Sequence, residues 1–132
     1  MFLAVCKDVG VEDPNKIPNA WMTASSDAGT NFKSYEGRVN MKKGWYRWCP
    51  STKTDQSDYL QVDIGAVRDV CAVATQKRYS TDHTKTYYLR VSVDGVNWNT
   101  YEENKAKKVN CNLVSRTFPL DTRSSLPHCF PF

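Results

Sequence analysis

Two polar stretches of the sequence, residues 27–36 and 78–85, carry aromatic side chains among groups that form directional hydrogen bonds. Phe32, Tyr35 and Tyr79 could each offer a flat face to a sugar ring or a peptide, because an aromatic ring combines apolar area with defined geometry. The accompanying hydrogen-bonding side chains are Asp27, Asn31, Arg78 and His83. This chemistry holds a ligand without making or breaking bonds. The alternative for the aromatic side chains of the first stretch is that they pack under their own loop.

No comparable sequence motif indicates catalysis. The sequence contains no nucleophile elbow, no phosphate-binding glycine loop and no HExxH motif, and no two carboxylates are spaced to act as a pair. His83 and His128 lie far apart and no spaced cysteine pair accompanies them, so no metal site is predicted. Asp8, Glu12 and Asp13 could help to coordinate calcium, but an acidic turn in solvent is the simpler interpretation. We therefore predict a protein that is not an enzyme and needs no cofactor.

Charge and hydropathy exclude two further classes of function. The chain of 132 residues has a formal charge of +4, and its 18 basic residues are scattered apart from Lys105, Lys107 and Lys108, which argues against a nucleic-acid partner. No apolar run is long enough for a transmembrane segment. Residues 1–5 are apolar but too few for the hydrophobic region of a signal peptide. We expect that a leader is absent from this sequence or that the chain begins inside a larger protein.

The elements that must position these groups are β-strands. Leu60, Val62 and Ile64 alternate with polar residues, and this two-residue period predicts a strand with one apolar face. Residues 70–74 form an apolar block typical of a strand covered on both faces. Because no long amphipathic helix is evident, two packed sheets are the economical architecture.

Four further strands are expected. Residues 21–26 predict a short first strand, and residues 38–40 predict a return to extended structure. Asp94-Gly95 predicts a tight hairpin turn between strands at 87–93 and 98–101, since glycine supplies the positive φ that such a turn requires.

Tryptophan and charged residues within these segments are expected to be structural. Core or end-plug positions are predicted for the four tryptophans, Trp21, Trp45, Trp48 and Trp98. Arg38 and Asp63 are expected to form ion pairs or hydrogen bonds to the backbone.

A series of short motifs follows in order along most of the chain. They are Cys6, Gly10-Val11-Glu12-Asp13, Ile17-Pro18, Thr23-Ala24-Ser25-Ser26, Arg38-Val39-Asn40, Trp48-Cys49-Pro50, Leu60-Gln61-Val62-Asp63-Ile64-Gly65, Val73-Ala74-Thr75-Gln76 and Ser92-x-Asp94-Gly95-x-x-Trp98-x-x-Tyr101. In this order they resemble the discoidin domain family, also called the coagulation factor 5/8 type C domain. Each motif is weak evidence, but independent matches rarely fall into one order by chance.

The resemblance implies an all-β fold, an antiparallel jelly-roll β-sandwich of the galactose-binding-domain-like type, in a secreted or cell-surface protein. Such domains bind their ligands through loops at one end of the sandwich, and residues 27–35 and 78–85 match two of these loops. The ligand-binding residues so predicted are Asp27, Asn31, Phe32, Tyr35, Arg78, Tyr79 and His83. The predicted function is recognition of a glycan or of a cell-surface or matrix protein in adhesion.

The alternative function is attachment to anionic phospholipid. The basic side chains that could serve it are Lys33, Lys77, Arg78 and Lys85. The loop tips, residues 27–30 and 80–82, lack the exposed Trp, Leu, Met or Phe with which such domains insert into membranes. The sequence therefore favours a glycan or protein ligand.

After Val109 the sequence departs from the family pattern. Family members continue with further strands and close with a cysteine that pairs with the first one. The resemblance thus implies an incomplete domain over residues 1–109 and a divergent, irregular tail over residues 110–132, with the last strands missing or replaced. Because uncovered apolar faces and unpaired backbone groups are costly, we expect no cooperative melting above about 60 °C.

Five cysteines in a domain of this size suggest an oxidising compartment. The candidates for disulfide bonds are Cys6, Cys49, Cys111 and Cys129. Either Cys111 or Cys129 substitutes for the partner that the family places further on, or these cysteines are free or pair between chains. Cys71, inside an apolar block, is expected to be a buried small hydrophobe.

Overall fold

The computed structural model describes residues 8–41, 47–52, 57–68, 70, 73–76, 87–103 and 106–107. Within these ranges the helical elements are two short 3-10 helices, η1 (Asn19–Trp21) and η2 (Ser34–Gly37), and there is no α-helix. The strands are β1 (Met22–Ala24), β2 (Leu60–Val62), β3 (Arg90–Val91), β4 (Asn99–Thr100), β5 (Glu102–Glu103) and β6 (Ala106–Lys107). They form three antiparallel pairs, β1 with β2, β3 with β4, and β5 with β6.

The β1–β2 ladder has one buried face and one open face. Met22 lies opposite Val62, and Ala24 lies opposite Leu60. Met22 is only 2% exposed, and the three other side chains of this face are half-buried. The apolar face predicted for Leu60 and Val62 is therefore present, although β2 ends before Ile64.

Arg38 connects η2 to the irregular segment that precedes β1. Arg38 is 3% exposed, and its guanidinium donates hydrogen bonds to the carbonyl oxygens of Val11 and Ile17, the latter at 2.6 Å, and to Asn19 Oδ1 at 2.9 Å. Burial lowers the pKa of Arg38, and the carboxylates of Asp13, Glu12 and Glu36 oppose this shift. The structural role predicted for Arg38 is confirmed, since a buried charge is tolerated when its donors are satisfied.

Asp63 also bonds to the backbone, as predicted. Its Oδ1 accepts a hydrogen bond from Gly65 N at 2.7 Å, which closes a turn directly after β2. Gly65 has φ +75°, a left-handed conformation that glycine adopts without strain.

Two of the predicted strands are not formed as expected. Arg38 is extended, but Asn40 has φ +60° and turns the chain, so residues 38–40 are not a strand. In the predicted strand at 70–74, Val70 is 45% exposed and Ala74 is also exposed, so these two residues are not covered on both faces; Cys71 and Ala72 lie outside the described residues. Local turn geometry at Asn40 therefore overrides the extended preference of its neighbours.

The hairpin between β3 and β4 forms, but its tight Asp94-Gly95 turn does not. The connection covers residues 92–98, because Asp94 Oδ1 accepts hydrogen bonds from the backbone N–H groups of Val96 and Asn97, both at 2.8 Å, and from Ser92 Oγ at 2.9 Å. These bonds hold the pKa of Asp94 well below its usual range. The carboxylate thus organises a wider loop in place of a two-residue turn.

The tryptophan prediction is right for one residue and wrong for two. Trp48 is fully buried and donates from Nε1 to Ser26 O at 2.9 Å. Trp21 and Trp98 are each 39% exposed. Trp21 is the last residue of η1, directly before the buried Met22, and its side chain points to the opposite face of the ladder. Trp98 donates from Nε1 to Gly95 O on the hairpin loop. Trp45 lies outside the described residues.

Candidate functional site

The loop of residues 27–35 follows β1 and is fixed to the buried segment around Cys49. Ala28 N donates to Cys49 O at 2.8 Å, and Cys49 N donates to Phe32 O at 3.4 Å. Phe32 N donates to Gly29 O at 3.1 Å, which closes a turn inside the loop. Because Cys49 and Trp48 are buried, the loop rests on the core and its conformation is defined.

Cys49 is itself disulfide-bonded. The other candidate cysteines, Cys6, Cys111 and Cys129, lie outside the described residues, so the pairing stays a prediction.

Asp58 fixes the base of this loop from the segment that leads into β2. Its Oδ1 accepts hydrogen bonds from Ser25 Oγ at 2.6 Å and from Ser26 Oγ at 3.0 Å, and its Oδ2 accepts one from Thr52 Oγ1 at 3.3 Å. Ser26 Oγ in turn accepts a hydrogen bond from Ser51 N at 3.0 Å. One carboxylate therefore ties the end of β1 to the two segments beside it.

An ion pair crosses the loop. Lys33 Nζ lies 3.2 Å from Asp27 Oδ2, and the two side chains are 40% and 24% exposed. The second oxygen of Asp27, Oδ1, is buried and has no hydrogen-bond partner within the described residues. Asp27 is thus committed to the loop by one oxygen and retains acceptor capacity at the other.

Phe32 presents only part of its ring. The guanidinium carbon of Arg47 lies 5.0 Å from the ring centroid, a cation–π arrangement that covers one face, and both side chains are half-buried. Tyr35 is half-buried within η2. Asn31 is exposed, as are Ala28, Gly29 and Thr30, so residues 28–31 form the accessible tip of the loop.

The 3-10 helix η2, which overlaps the end of the loop, contains Glu36, whose carboxyl group is partly buried. Ser34 is buried and donates from Oγ to Met22 O at 2.7 Å, which attaches η2 to β1. Burial raises the pKa of Glu36, and the charge of Arg38 only partly opposes this. Glu36 Oε2 is buried without a hydrogen-bond partner in the described part of the chain.

The structure brings together Asp27, Asn31, Phe32 and Tyr35 in one loop. The other predicted ligand-binding residues, Arg78, Tyr79 and His83, lie outside the described residues, and their place relative to this loop stays a prediction.

No metal-binding cluster or membrane-spanning helix is found in the part of the chain that the structure describes. In these ranges no three His, Cys, Asp or Glu side chains are grouped to hold a metal ion. Asp8 Oδ1 accepts a hydrogen bond from Gly10 N, and Asp13 Oδ1 accepts one from Asn15 N, so both carboxylates close turns. No helix in these ranges has the length and apolarity that crossing a membrane requires.

Sequence reasoning did not identify Asp58 and Arg47 as parts of the site. Asp58 precedes a predicted strand, and only the Ser25-Ser26 pair hinted that an acceptor was needed nearby. Arg47 lies in the dense aromatic segment 44–50, where an arginine beside several rings is a general signal for cation–π contacts.

Comparison with known proteins places the chain in a family. A family model described as the F5/8 type C domain matches residues 21–124. Neuropilin-1 of Rattus norvegicus is 33% identical over 107 residues, which are 76% of this chain and 11% of that protein. Neuropilin-1 of Homo sapiens is 31% identical over 103 residues, which are 74% of this chain and 11% of that protein.

The name of a third relative includes the discoidin domain. The epithelial discoidin domain-containing receptor 1 of Homo sapiens is 29% identical over 107 residues, which are 76% of this chain and 12% of that protein. The chain therefore spans only 11% to 12% of the length of these relatives. Discoidin domains are β-sandwiches, so the predicted all-β sandwich is confirmed, and the chain belongs to the F5/8 type C, or discoidin, domain family.

Proposed function

We propose that this chain is a non-enzymatic extracellular recognition module of cell adhesion, which binds a glycan or a protein through loops at one end of its β-sandwich. The observation that carries this proposal is the loop of residues 27–35, which is fixed at its base and across its middle while its tip is exposed. A loop that is already ordered loses little conformational entropy when a ligand binds. Membership of the discoidin family and the likeness to a receptor support the extracellular assignment.

The chemistry of the tip suits hydroxyl and amide groups. Thr30 and Asn31 are exposed, and their side chains offer both donors and acceptors, as a sugar or a peptide backbone requires. Asp27 and Lys33 lie beside the tip and largely neutralise each other. The loop therefore favours an uncharged polar ligand.

The same geometry counts against the phospholipid alternative. Residues 28–31 contain no large apolar side chain that would gain free energy on entering a bilayer. Lys33, one of the basic residues that could attract anionic lipid, is paired with Asp27. Lipid binding through this loop would have to begin by breaking that pair.

Binding of the 132-residue protein to a glycan array and to intact cells tests the proposal. We expect binding in one of these two formats, with glycosidase treatment of the cells removing a glycan ligand and protease treatment removing a protein ligand. Asn31→Ala should weaken the binding about tenfold. Asn99→Ala, which removes another exposed asparagine on β4, is the matched control and should leave binding unchanged.

The outcome that would contradict the proposal is equally specific. Absence of binding in both formats, or equal effects of the two asparagine variants, would exclude the loop as the binding site. Co-sedimentation with phosphatidylserine liposomes that is lost with rising salt would favour the phospholipid alternative.

A further inference from the structure

The open face of the β1–β2 ladder carries two exposed aromatic rings with polar side chains between them. Trp21 is 39% exposed and Tyr59 is 53% exposed. The backbone bond from Asp63 N to Trp21 O, at 2.8 Å, and that from Ser25 N to Tyr59 O, at 3.0 Å, extend the ladder at both ends. Because side chains alternate along a strand, one face carries Trp21, Thr23, Ser25, Tyr59, Gln61 and Asp63, opposite to Met22. We call this face the outer strip.

The middle of the outer strip holds polar groups that are free to bind a ligand. Thr23 lies directly opposite Gln61 in the ladder. Thr23 is exposed and Gln61 half-buried, and neither side chain forms a hydrogen bond within the described residues. The pair offers a hydroxyl and an amide, which together donate and accept, to any ligand that lies across the strip.

The spacing of the two rings sets the length of ligand that could touch both. Trp21 and Tyr59 lie at opposite ends of the extended ladder, which places their Cα atoms about 14 Å apart, a length that takes about four sugar rings to span. A pyranose ring has an apolar face of C–H groups that packs on an aromatic ring, and its hydroxyl groups project from the rim. A row of sugars would therefore meet Trp21, then the pair of Thr23 and Gln61, then Tyr59.

Trp21 is held in position for such contact. A Cβ atom added to Gly65 would lie 2.6 Å from Cζ3 and 2.9 Å from Cη2 of Trp21, so the indole ring lies directly against the Gly65 backbone. The positive φ of Gly65 and the hydrogen bond from Gly65 N to Asp63 fix that backbone. A ring that is already supported on one side loses little freedom when a ligand covers the other.

The charge of the outer strip selects among sugars. It contains no lysine or arginine, and the carboxylate of Asp63 lies at one end, with that of Asp58 bonded to Ser25 at the other. Anionic sugars and anionic lipid headgroups would be repelled by these carboxylates. The strip therefore disfavours anionic sugars, and its polar side chains suit the hydroxyl groups of an uncharged sugar chain.

We propose that the outer strip is a second binding site, distinct from the loop of residues 27–35, for an uncharged oligosaccharide of about four or more sugars. Trp21 and Tyr59 stack on two sugar rings, and Thr23 and Gln61 bond to the hydroxyl groups between them. The site does not depend on the loop, because the two share no binding residue.

Immobilised chitohexaose, cellohexaose and mannohexaose, with a heparin hexasaccharide as the anionic comparison, test the proposal with the full chain. We expect at least one uncharged hexasaccharide to bind, and Trp21→Ala and Tyr59→Ala each to weaken binding about tenfold. Trp98→Ala is the matched control, because Trp98 is exposed to the same extent as Trp21 but lies on the β3–β4 hairpin, and it should have no effect.

A measurement on the unaltered protein covers the case in which Trp21→Ala fails to fold. Bound hexasaccharide should protect Trp21, and not Trp98, from oxidation by N-bromosuccinimide, as read by peptide mass spectrometry. The proposal is overturned if no uncharged hexasaccharide binds, if heparin binds better, or if Trp98 is protected as strongly as Trp21. Loss of oligosaccharide binding in Asn31→Ala with full binding in Tyr59→Ala would overturn it too, and would support the loop as the only sugar site.

Discussion

Replacing Arg38 with methionine should remove the hydrogen bonds that hold residues 8–19 against η2. Arg38 is 3% exposed, and its guanidinium donates to Val11 O, to Ile17 O at 2.6 Å and to Asn19 Oδ1 at 2.9 Å. Methionine keeps most of the stem that packs in the interior but has no donor. The two backbone carbonyls therefore lose the partner that the fold provides for them.

The magnitude follows from the number and setting of these bonds. A hydrogen bond to a charged group contributes about 1.5–3 kcal/mol, so three bonds set an upper limit of roughly 5–9 kcal/mol. Losing the guanidinium also removes the cost of burying it, a cost that shows in the lowered pKa of Arg38. Asn19 is exposed and can bond to water instead. We expect a net loss of about 3 kcal/mol, a large share of a total that is typically 5–15 kcal/mol.

Urea unfolding at about pH 7, followed by tryptophan fluorescence, measures this loss. Arg68→Met is the matched control, because Arg68 is exposed, and its unfolding free energy should stay within about 0.5 kcal/mol of the unaltered protein. Arg38→Lys keeps a charge but not the planar fork that reaches several acceptors, so it should fall between the two. If Arg38→Met lowered the free energy of unfolding by less than about 1 kcal/mol, water would be replacing the guanidinium, and the Arg38 hydrogen bonds would not stabilise the fold.

Three further changes have defined outcomes. Asp58→Ala removes the acceptor shared by Ser25 and Ser26 and should lower the unfolding free energy by about 1–2 kcal/mol, whereas Asp58→Asn keeps one acceptor oxygen and should lose less; urea midpoints compare them. Because burial raises the pKa of Glu36 above its ordinary value of 4.5, the folded state binds this proton more tightly than the unfolded chain, so its ionisation destabilises the fold as pH rises above that value. Glu36→Gln should therefore raise the urea midpoint at about pH 7 and flatten its dependence on pH; a lower midpoint would mean that attraction to Arg38 outweighs burial. Gly95→Ala should cost only about 1 kcal/mol of backbone strain, because a Cβ atom at φ +72° meets nothing within 4 Å there, and a loss above about 2 kcal/mol in thermal melting would contradict this.

Local pattern was sufficient to predict several parts of the fold. The alternation of Leu60 and Val62 with polar residues identified β2, because a period of two has no other common interpretation. The structural role of Arg38 could be predicted because it belongs to one of the family motifs. The structure confirms it, since the Arg38 guanidinium donates a hydrogen bond to Ile17 O. The hairpin between β3 and β4 was likewise predictable from the turn residues between two alternating segments.

What local pattern missed depends on contacts across the chain or on competing turn chemistry. Asp58 meets Ser25 over a separation of 33 residues, and nothing in either neighbourhood specifies the other. The residue types Asp94-Gly95 predict a tight turn, but the Asp94 carboxylate accepts hydrogen bonds from Ser92 Oγ and from the backbone of Val96 and Asn97, which stabilise a wider loop. Residue type alone predicts a core position for Trp21, whereas the strand period, counted from Met22, predicts the open face on which it lies.

The two proposed binding surfaces share one structural support. Ser25 belongs to the outer strip, Ser26 opens the loop of residues 27–35, and both donate to Asp58. Tyr59 follows Asp58, and Tyr59 N donates to Ser25 Oγ at 3.0 Å, so the same bonds set the end of the strip. Loss of the Asp58 carboxylate should therefore weaken ligand binding at both surfaces, whereas Asn31→Ala and Tyr59→Ala each affect one. That difference separates a change in the shared support from a change in either contact surface.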